Sequence, residues 1–475
     1  MTERWLYAWG LGSVAFGGAS LLVPLYIVQL GATPVQLGIL AATAAVIAAP
    51  GAIVFGRLAN RVSQRRPLVL VTLVGVALAL TAIPFLSNIT AVIVANAALW
   101  LVVSSVAPVL TMLVVDDAPE SAWSARIGRL NKFQGYGWAG GLVLGTVWPF
   151  VGPLVVGVAT AGPAVDATLV TQTLFWLLAG CATLSALGAA RSLPRPAPEA
   201  HVTSEHRVRR IARLLASSRG GVKGATFAFS PNRLYWTTRN INPRKLAGRF
   251  DAALGTYFAA ATLFFVGFAA FWAPLPLFFT EASFGSGEVF GLYLVSSVAS
   301  AALYERAGRL ASTYDVRLLQ SGALTLRGVL FPAVVLATAV GAVSVGLVTA
   351  GVVLAGIGVT WAVIAVVGTA IVTRLAPPSV RGEVLGVHTA LGAVAGGIGS
   401  VLGGWAASFG YLAAFGVAGG LVLLGALLVG SLRVLSAGTR ATDPPAQPVA
   451  ETPPTTVVPA VSTEEVETEA ELRAK

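Results

Sequence analysis

Twelve stretches of about 20 predominantly apolar residues divide the chain, and nothing else in it limits the fold as severely. They lie near 5–29, 35–55, 68–87, 91–115, 133–152 and 168–190, then near 252–279, 287–304, 324–341, 344–372, 385–407 and 411–432. In hydrocarbon no water is present to satisfy backbone amides, so each stretch must close its own hydrogen bonds as a helix. The stretch at 287–304 is short, and the one at 324–341 carries Arg327 close to its start. The first stretch is too long for a signal-peptide core and lacks a clear cleavage site, so it reads as a true span.

Composition agrees. Of 475 residues, 56% are hydrophobic and 11% are charged, against roughly a quarter charged in soluble domains. That composition argues against a soluble enzyme and excludes a wholly disordered chain. The 31 Lys+Arg against 20 Asp+Glu leave a net charge of +11, which first suggests a nucleic-acid binder. The location of the charge removes that reading. Residues 191–250 hold 13 Lys+Arg and only two acids, Glu199 and Glu205, so the rest of the chain is balanced. No nucleic-acid recognition motif accompanies the charge.

The remaining arginines set an orientation. Arg4, then Arg57, Arg61, Arg65 and Arg66, then Arg126, Arg129 and Lys132 alternate with connections near 30–34, 88–90 and 153–167 that contain no Lys or Arg. Arg306, Arg309, Arg317, Arg374, Arg381 and Arg433 continue the pattern, opposite 280–286, 342–343 and 408–410. This positive-inside asymmetry places both termini in the cytoplasm, with the cell membrane as the expected location.

Four segments follow: a first six-helix half (1–190), a basic cytoplasmic linker (191–250), a second six-helix half (251–435) and an acidic tail (436–475). Within the linker, Val208, Ile211 and Leu215 share a helical face flanked by arginines. That suits a short helix lying on inner-leaflet lipids, and a solvated linker that serves orientation alone fits equally. The tail has six prolines between Pro444 and Pro459, then a run of glutamates, and is expected to be disordered. Gly56-Arg-Leu-Ala after the second stretch matches Gly308-Arg-Leu-Ala after the eighth at an offset of 308 − 56 = 252. Ala118-Pro119 with Arg126 matches Ala376-Pro377 with Arg381 at an offset of 255 (381 − 126). Two matches at nearly one spacing point to a six-plus-six parallel repeat.

Residues 56–66, Gly-Arg-Leu-Ala-Asn-Arg-Val-Ser-Gln-Arg-Arg, resemble the signature loop between helices 2 and 3 of the major facilitator superfamily. The resemblance extends through Pro24-Leu-Tyr, Leu30-Gly31 and Gly38, and again through Arg381-Gly-Glu-Val-Leu-Gly386 and Gly403-Gly404. It implies an all-α membrane fold of about twelve helices in two six-helix halves. It also implies that Gly56, Asn60, Arg61, Arg65, Arg66, Gly308 and Arg381 belong to gating loops. The acid of the family's loop is here Asn60 and its second glycine is Ser63, which weakens the charged latch to neutral hydrogen bonding. In the family, helices 2, 5, 8 and 11 face each other across the halves. Gly137, Gly141 and Gly145 on helix 5, with Gly392, Gly396, Gly399 and Gly403 on helix 11, are the expected contact residues. Gly137-x-x-x-Gly141 is similar to the antiporter motif of helix 5, without its proline.

Helices 1, 4, 7 and 10 line the cavity in the family, which makes Asn96, Trp100, Trp272, Thr360 and Trp361 the substrate-cavity candidates. Aromatic faces with a few neutral hydrogen-bonding groups suit an amphipathic small molecule. The acids sit at helix ends or in connections. His388, in the inner half of helix 11, reads either as a proton site or as a structural histidine. Arg327 reads either as a pathway charge or as a side chain snorkelling to the interface. No G-x-S-x-G, H-E-x-x-H or P-loop pattern occurs, so catalytic residues, cofactors and metals are not expected. The expected function is secondary active or facilitative transport of a small solute, efflux slightly favoured, by a monomer touching inner-leaflet lipids. The alternative is a transport-inactive sensor or scaffold that holds a partner with its basic linker.

Overall fold

The computed structural model describes residues 4–61, 65–115, 123–160, 167–193, 252–376 and 381–442; these are almost entirely helical, and no strand occurs among them. The first set of helices is α1 (Trp5–Gln29), α2 (Pro34–Arg61), α3 (Arg66–Ala82), α4 (Ile89–Val115), α5 (Trp123–Thr160) and α6 (Ala167–Ser192). The second is α7 (Ala252–Trp272), extended by a seven-residue helix Leu275–Glu281, then α8 (Ser286–Thr313), α9 (Val316–Thr338), α10 (Val343–Leu375), α11 (Arg381–Ala407) and α12 (Tyr411–Thr442). Among the described residues eleven helices are long and apolar enough to cross a membrane, and α2 adds a shorter apolar segment, Pro34–Ile47. The linker with its amphipathic 204–215 segment, and the proline- and glutamate-rich part of the tail, lie outside the described residues.

The two least regular stretches are longer than their hydropathy indicates. α8 continues from 304 to Thr313, because exposed Glu305, Arg306 and Arg309 interrupt the apolar run but not the helix. α9 starts at Val316 rather than 324, where the Asp315 carboxylate caps it by accepting from the Arg317 backbone N–H at 2.9 Å. Arg327 therefore lies at the middle of α9, about 16 Å along the axis from its start.

The internal repeat is visible bond by bond. At the end of α1, Leu30, Gly31 and Ala32 donate backbone N–H bonds to Tyr26, Val28 and Ile27. At the end of the α7 extension, Ala282, Ser283 and Phe284 donate to Phe278, Thr280 and Phe279, every partner displaced by 282 − 30 = 252 residues. Both turns pass through the left-handed region, Gly31 at φ +84° and Ser283 at φ +68°. The next helix then opens in the same way. Gln36 accepts from the Thr33 backbone N–H, and Glu288 accepts from that of Gly285, both at 2.8 Å.

Packing repeats as well. α1 lies against α5 and α2 against α4, as α7 lies against α11 and α8 against α10. The Arg66 guanidinium at the start of α3 donates to the Ala190 carbonyl near the end of α6. Arg317 at the start of α9 donates to the Leu432 carbonyl of α12 at 3.1 Å. In each case a cation satisfies a carbonyl near the negative end of a neighbouring helix. The outward flanks are apolar, with Leu78, Leu154, Val348 and Leu427 each at least 65% exposed, as lipid contact requires.

Candidate functional site

The halves meet mainly along two helix pairs, α2 with α11 and α5 with α8. Backbone approach is closest where glycine removes the side chain. A Cβ built on Gly38 of α2 would lie 2.5 Å from the Ser400 carbonyl oxygen, and one on Gly404 of α11 would lie 2.4 Å from that of Pro34. A Cβ on Gly145 of α5 would run into the Phe290 ring of α8 at 2.3 Å, and one on Gly287 would meet the Thr146 carbonyl oxygen at 2.8 Å. All four sites are near the end of the bundle where α1 passes to α2.

This geometry redistributes the expected glycine contacts. Gly145 faces the other half. Gly137 and Gly141 do not: their Cβ positions fall 2.1 Å from the Gly10 carbonyl oxygen and 2.3 Å from that of Val14, both on α1 of the same half. Gly399 and Gly403 pack on Val266 and Ala270 of α7, again within one half, and Gly396 has open space around it. Gly392 is buried. Spacing of four reveals a smooth helix face but not its partner, because α5 and α11 each have two neighbours to satisfy. From the sequence, Gly38 entered only as part of the family resemblance and Gly287 was not singled out as a contact, although Gly287-x-x-x-Gly291 repeats the spacing of four.

At mid-depth in the second half, Arg327 is 2% exposed and does not snorkel. Its Nη1 donates to the Ile357 carbonyl at 2.8 Å and to Thr360 Oγ1 at 3.2 Å, both on α10. The guanidinium carbon sits 4.4 Å from the Phe268 ring centroid and 5.5 Å from those of Phe331 and Trp361. An arginine at the centre of a membrane helix costs about 2.5–3.5 kcal/mol on insertion scales. Cation–π faces, at about 0.5–2 kcal/mol each, offset much of that. Two of the cavity candidates, Thr360 and Trp361, are thus brought together with Arg327. On α8, Ser296, Ser300 and Tyr304 form a buried polar stripe at a spacing of four. A Cβ on Gly358 of α10 would meet the Ser296 carbonyl oxygen at 2.1 Å, and Tyr304 packs beside Trp361 and Ala362.

The other candidates are dispersed. Trp272 packs on Tyr293 at 5.1 Å between centroids, and Trp100 pairs with Trp138 of α5 at 6.3 Å. Asn96 is 4% exposed, and no protein group among the described residues hydrogen-bonds its amide. His388 is half-buried, stacked on Tyr257 at 5.9 Å and flanked by Phe265 at 5.5 Å. Tyr257 in turn bonds to Gln320 of α9 and donates to the Gly368 carbonyl of α10, a buried polar link missed in the sequence. Of the loop candidates, Arg65 is 7% exposed, Arg66 clamps α6 and Gly308 has nothing within 4 Å of its Cβ position. The side chains of Asn60, Arg61 and Arg381 and the packing of Gly56 lie outside what is described. No group of three metal-ligating side chains occurs among the described residues.

A family model described as the Major Facilitator Superfamily matches residues 8–358. No curated protein matches the chain. Among solved structures, a point mutant of the nucleoside transporter NupG superposes with a TM-score of 0.63 at 12% identity, over 90% of this chain and 99% of that one. A POT family transporter in complex with a thioalcohol-conjugated peptide gives 0.60 at 12% identity, over 93% and 96% of the two chains. A bacterial homologue of the human lysosomal transporter Spinster, inward-facing and unoccupied, gives 0.59 at 12% identity, over 94% and 98%. At such identities the likeness establishes fold.

Proposed function

Because the chain belongs to the major facilitator superfamily, we propose that this multi-pass membrane transporter moves a small amphipathic solute by alternating access, with export slightly favoured. One observation carries the reading. Along both inter-half lines glycine lets backbone meet backbone, at Gly38–Ser400, Gly404–Pro34 and Gly287–Thr146, and the one large ring described at these glycines, Phe290, rests on the bare surface of Gly145. Smooth surfaces of this kind can separate and re-form without dragging large side chains past each other, as rocking of two repeats requires. Among the described residues α1 meets the second half through the Leu275–Glu281 extension of α7, while α4 has no substantial packing against α7 or α10.

The solute's character follows from the candidate lining. Asn96 offers a buried amide, while Trp100, Trp272 and Trp361 offer aromatic area. A solute of this kind partitions into the bilayer unaided, so a carrier is of most use in removing it. The arginine asymmetry supports cytoplasmic termini in a cell membrane. Inner-leaflet contact by the basic linker, and monomeric action, complete the proposal.

The experiment is solute flux in proteoliposomes, with and without an imposed proton gradient, for wild type and His388→Ala. Flux driven by the gradient and lost in His388→Ala makes this histidine the proton site. Gradient-independent flux in both leaves facilitated diffusion or another ion. No flux over a broad panel, together with capture of a partner that depends on residues 191–250, overturns transport in favour of a scaffold.

A further inference from the structure

The interior of the second half holds a full positive charge with no negative one beside it. Among the described residues the ion pairs are Arg309–Glu305 and Arg433–Asp315, and neither involves Arg327. Among the described residues no acid is placed beside it. Every acid of the chain lies near a helix end, in a connection, in the linker or tail, or, like Glu305, on an exposed flank. The charge is stabilised by a carbonyl, a hydroxyl and aromatic faces alone, with no described carboxylate to neutralise it.

The geometry of the guanidinium is already divided between two tasks. Nη1 uses both hydrogens on α10, at Ile357 and Thr360. On the opposite edge Nε is completely enclosed and meets no acceptor. That edge presents two parallel N–H groups at the spacing of a carboxylate's oxygens. Another buried donor without a partner, the Ser300 hydroxyl, stands on the polar stripe of α8, one turn before Tyr304, which packs against Trp361. Of the three rings around the charge, Phe268 and Phe331 are buried, and Trp361 is the one that keeps partial exposure. The Trp361 ring is therefore the wall whose movement would admit a ligand.

Nor does the helix crossing need the charge. At the matching position of the first half, 327 − 252 = 75, stands Gly75, whose Cβ position is 3.2 Å from Val102 of α4. The same α3–α4 arrangement is built there with no charge at all.

We infer that the Nε–Nη2 edge of Arg327, with Trp361 as its movable wall and Ser300 on the α8 stripe that packs against α10, is a monoanion-binding site, and that the transported solute is an apolar body carrying one carboxylate-like group. This rests on the transporter reading and narrows its amphipathic solute to an anionic one. An inorganic anion such as chloride has the same charge chemistry, and the test separates the two sources.

The full-length protein in detergent is unfolded thermally, with intrinsic tryptophan fluorescence as the signal, in the presence of chloride, benzoate or 1-naphthoate. Each organic anion is compared with its neutral amide. A saturable rise in Tm with 1-naphthoate and benzoate is expected, with no rise for the amides, and Arg327→Gln is expected to need at least tenfold more anion. An equal rise with chloride, without any added preference for the aromatic anions, overturns the organic-anion assignment and leaves an ion site. A Tm shift retained in Arg327→Gln, or no anion-specific shift in wild type, overturns the site. Should Arg327→Gln fail to fold, the anion–amide difference in wild type and its weakening in Ser300→Ala decide the matter. Flux is read separately in proteoliposomes. Anion binding without flux keeps the site and overturns transport, whereas flux of neutral or cationic solutes unchanged in Arg327→Gln keeps transport and overturns the anionic-solute assignment.

Discussion

A single methyl group added at Gly141 would sit 2.3 Å from the backbone of α1, where neither helix has a flexible atom to yield. Gly141→Ala should therefore lower stability by about 1–3 kcal/mol, the usual cost of overpacking. Gly396→Ala, on the other inter-half candidate helix, meets open space and should gain up to about 1 kcal/mol from helix propensity. Thermal unfolding of the two variants in detergent checks both signs. Removal of a polar atom has a different cost. Tyr257→Phe deletes the hydroxyl that Gln320 bonds to and leaves that buried amide unsatisfied, so a loss of about 1–3 kcal/mol is expected in the same assay. The sequence offered no sign of the Tyr257–Gln320 pair, since residues 63 apart on different helices meet only after the bundle assembles. Thr360 and Trp361 were legible as a mid-helix polar and aromatic pair, but their partner Arg327 was ambiguous. Its position depends on where α9 begins, and a hydrophilic cap at Asp315 sets that start.

At the level of helices, the repeat makes quantitative claims. The turns after α1 and after the α7 extension have the same hydrogen bonds, but Gly occupies the left-handed position in one and Ser in the other. Ser283→Gly should stabilise by about 1–2 kcal/mol, the cost a side chain pays in that conformation, and Gly31→Ser should destabilise by a similar amount. Unfolding temperatures of the two reciprocal variants test it. The arginine clamps form a second matched pair. Arg66→Gln and Arg317→Gln should each cost about 0.5–2 kcal/mol by freeing a carbonyl near a helix end, and the double variant should show the sum, since the clamps share no partner. A marked departure from additivity would show that the two clamps are energetically coupled across the halves. The offset of 252 was readable from the two Gly-Arg-Leu-Ala segments, which occupy matching places in the last turns of α2 and α8. The shared capping pattern at Thr33 and Gly285 was not, because Gln36 and Glu288 differ in type while making the same bond.

For the molecule as a whole, the decisive question is whether the halves must part where they now touch. A Cβ on Gly291 would lie 3.5 Å from Thr146 Cγ2, close enough for a disulfide between Thr146→Cys and Gly291→Cys. In a Cys181→Ala background, oxidation of that pair should reduce flux at least tenfold, and reductant should restore it. Flux that persists in the fully cross-linked protein would remove alternating access through this interface. The sequence by itself determined the number of membrane helices, the duplicated plan and the family, since a lipid-embedded backbone must satisfy its hydrogen bonds within each segment and therefore writes its spans locally along the chain. Only the tertiary structure decided which faces meet. It turned Gly137 and Gly141 toward α1, brought Gly38 against α11, and enclosed Arg327 among three rings. The physical reason is that a stripe of small residues or a lone charge fixes what a helix face can approach. The rotation of that helix, and hence its partner, is set jointly by all the helices packed around it.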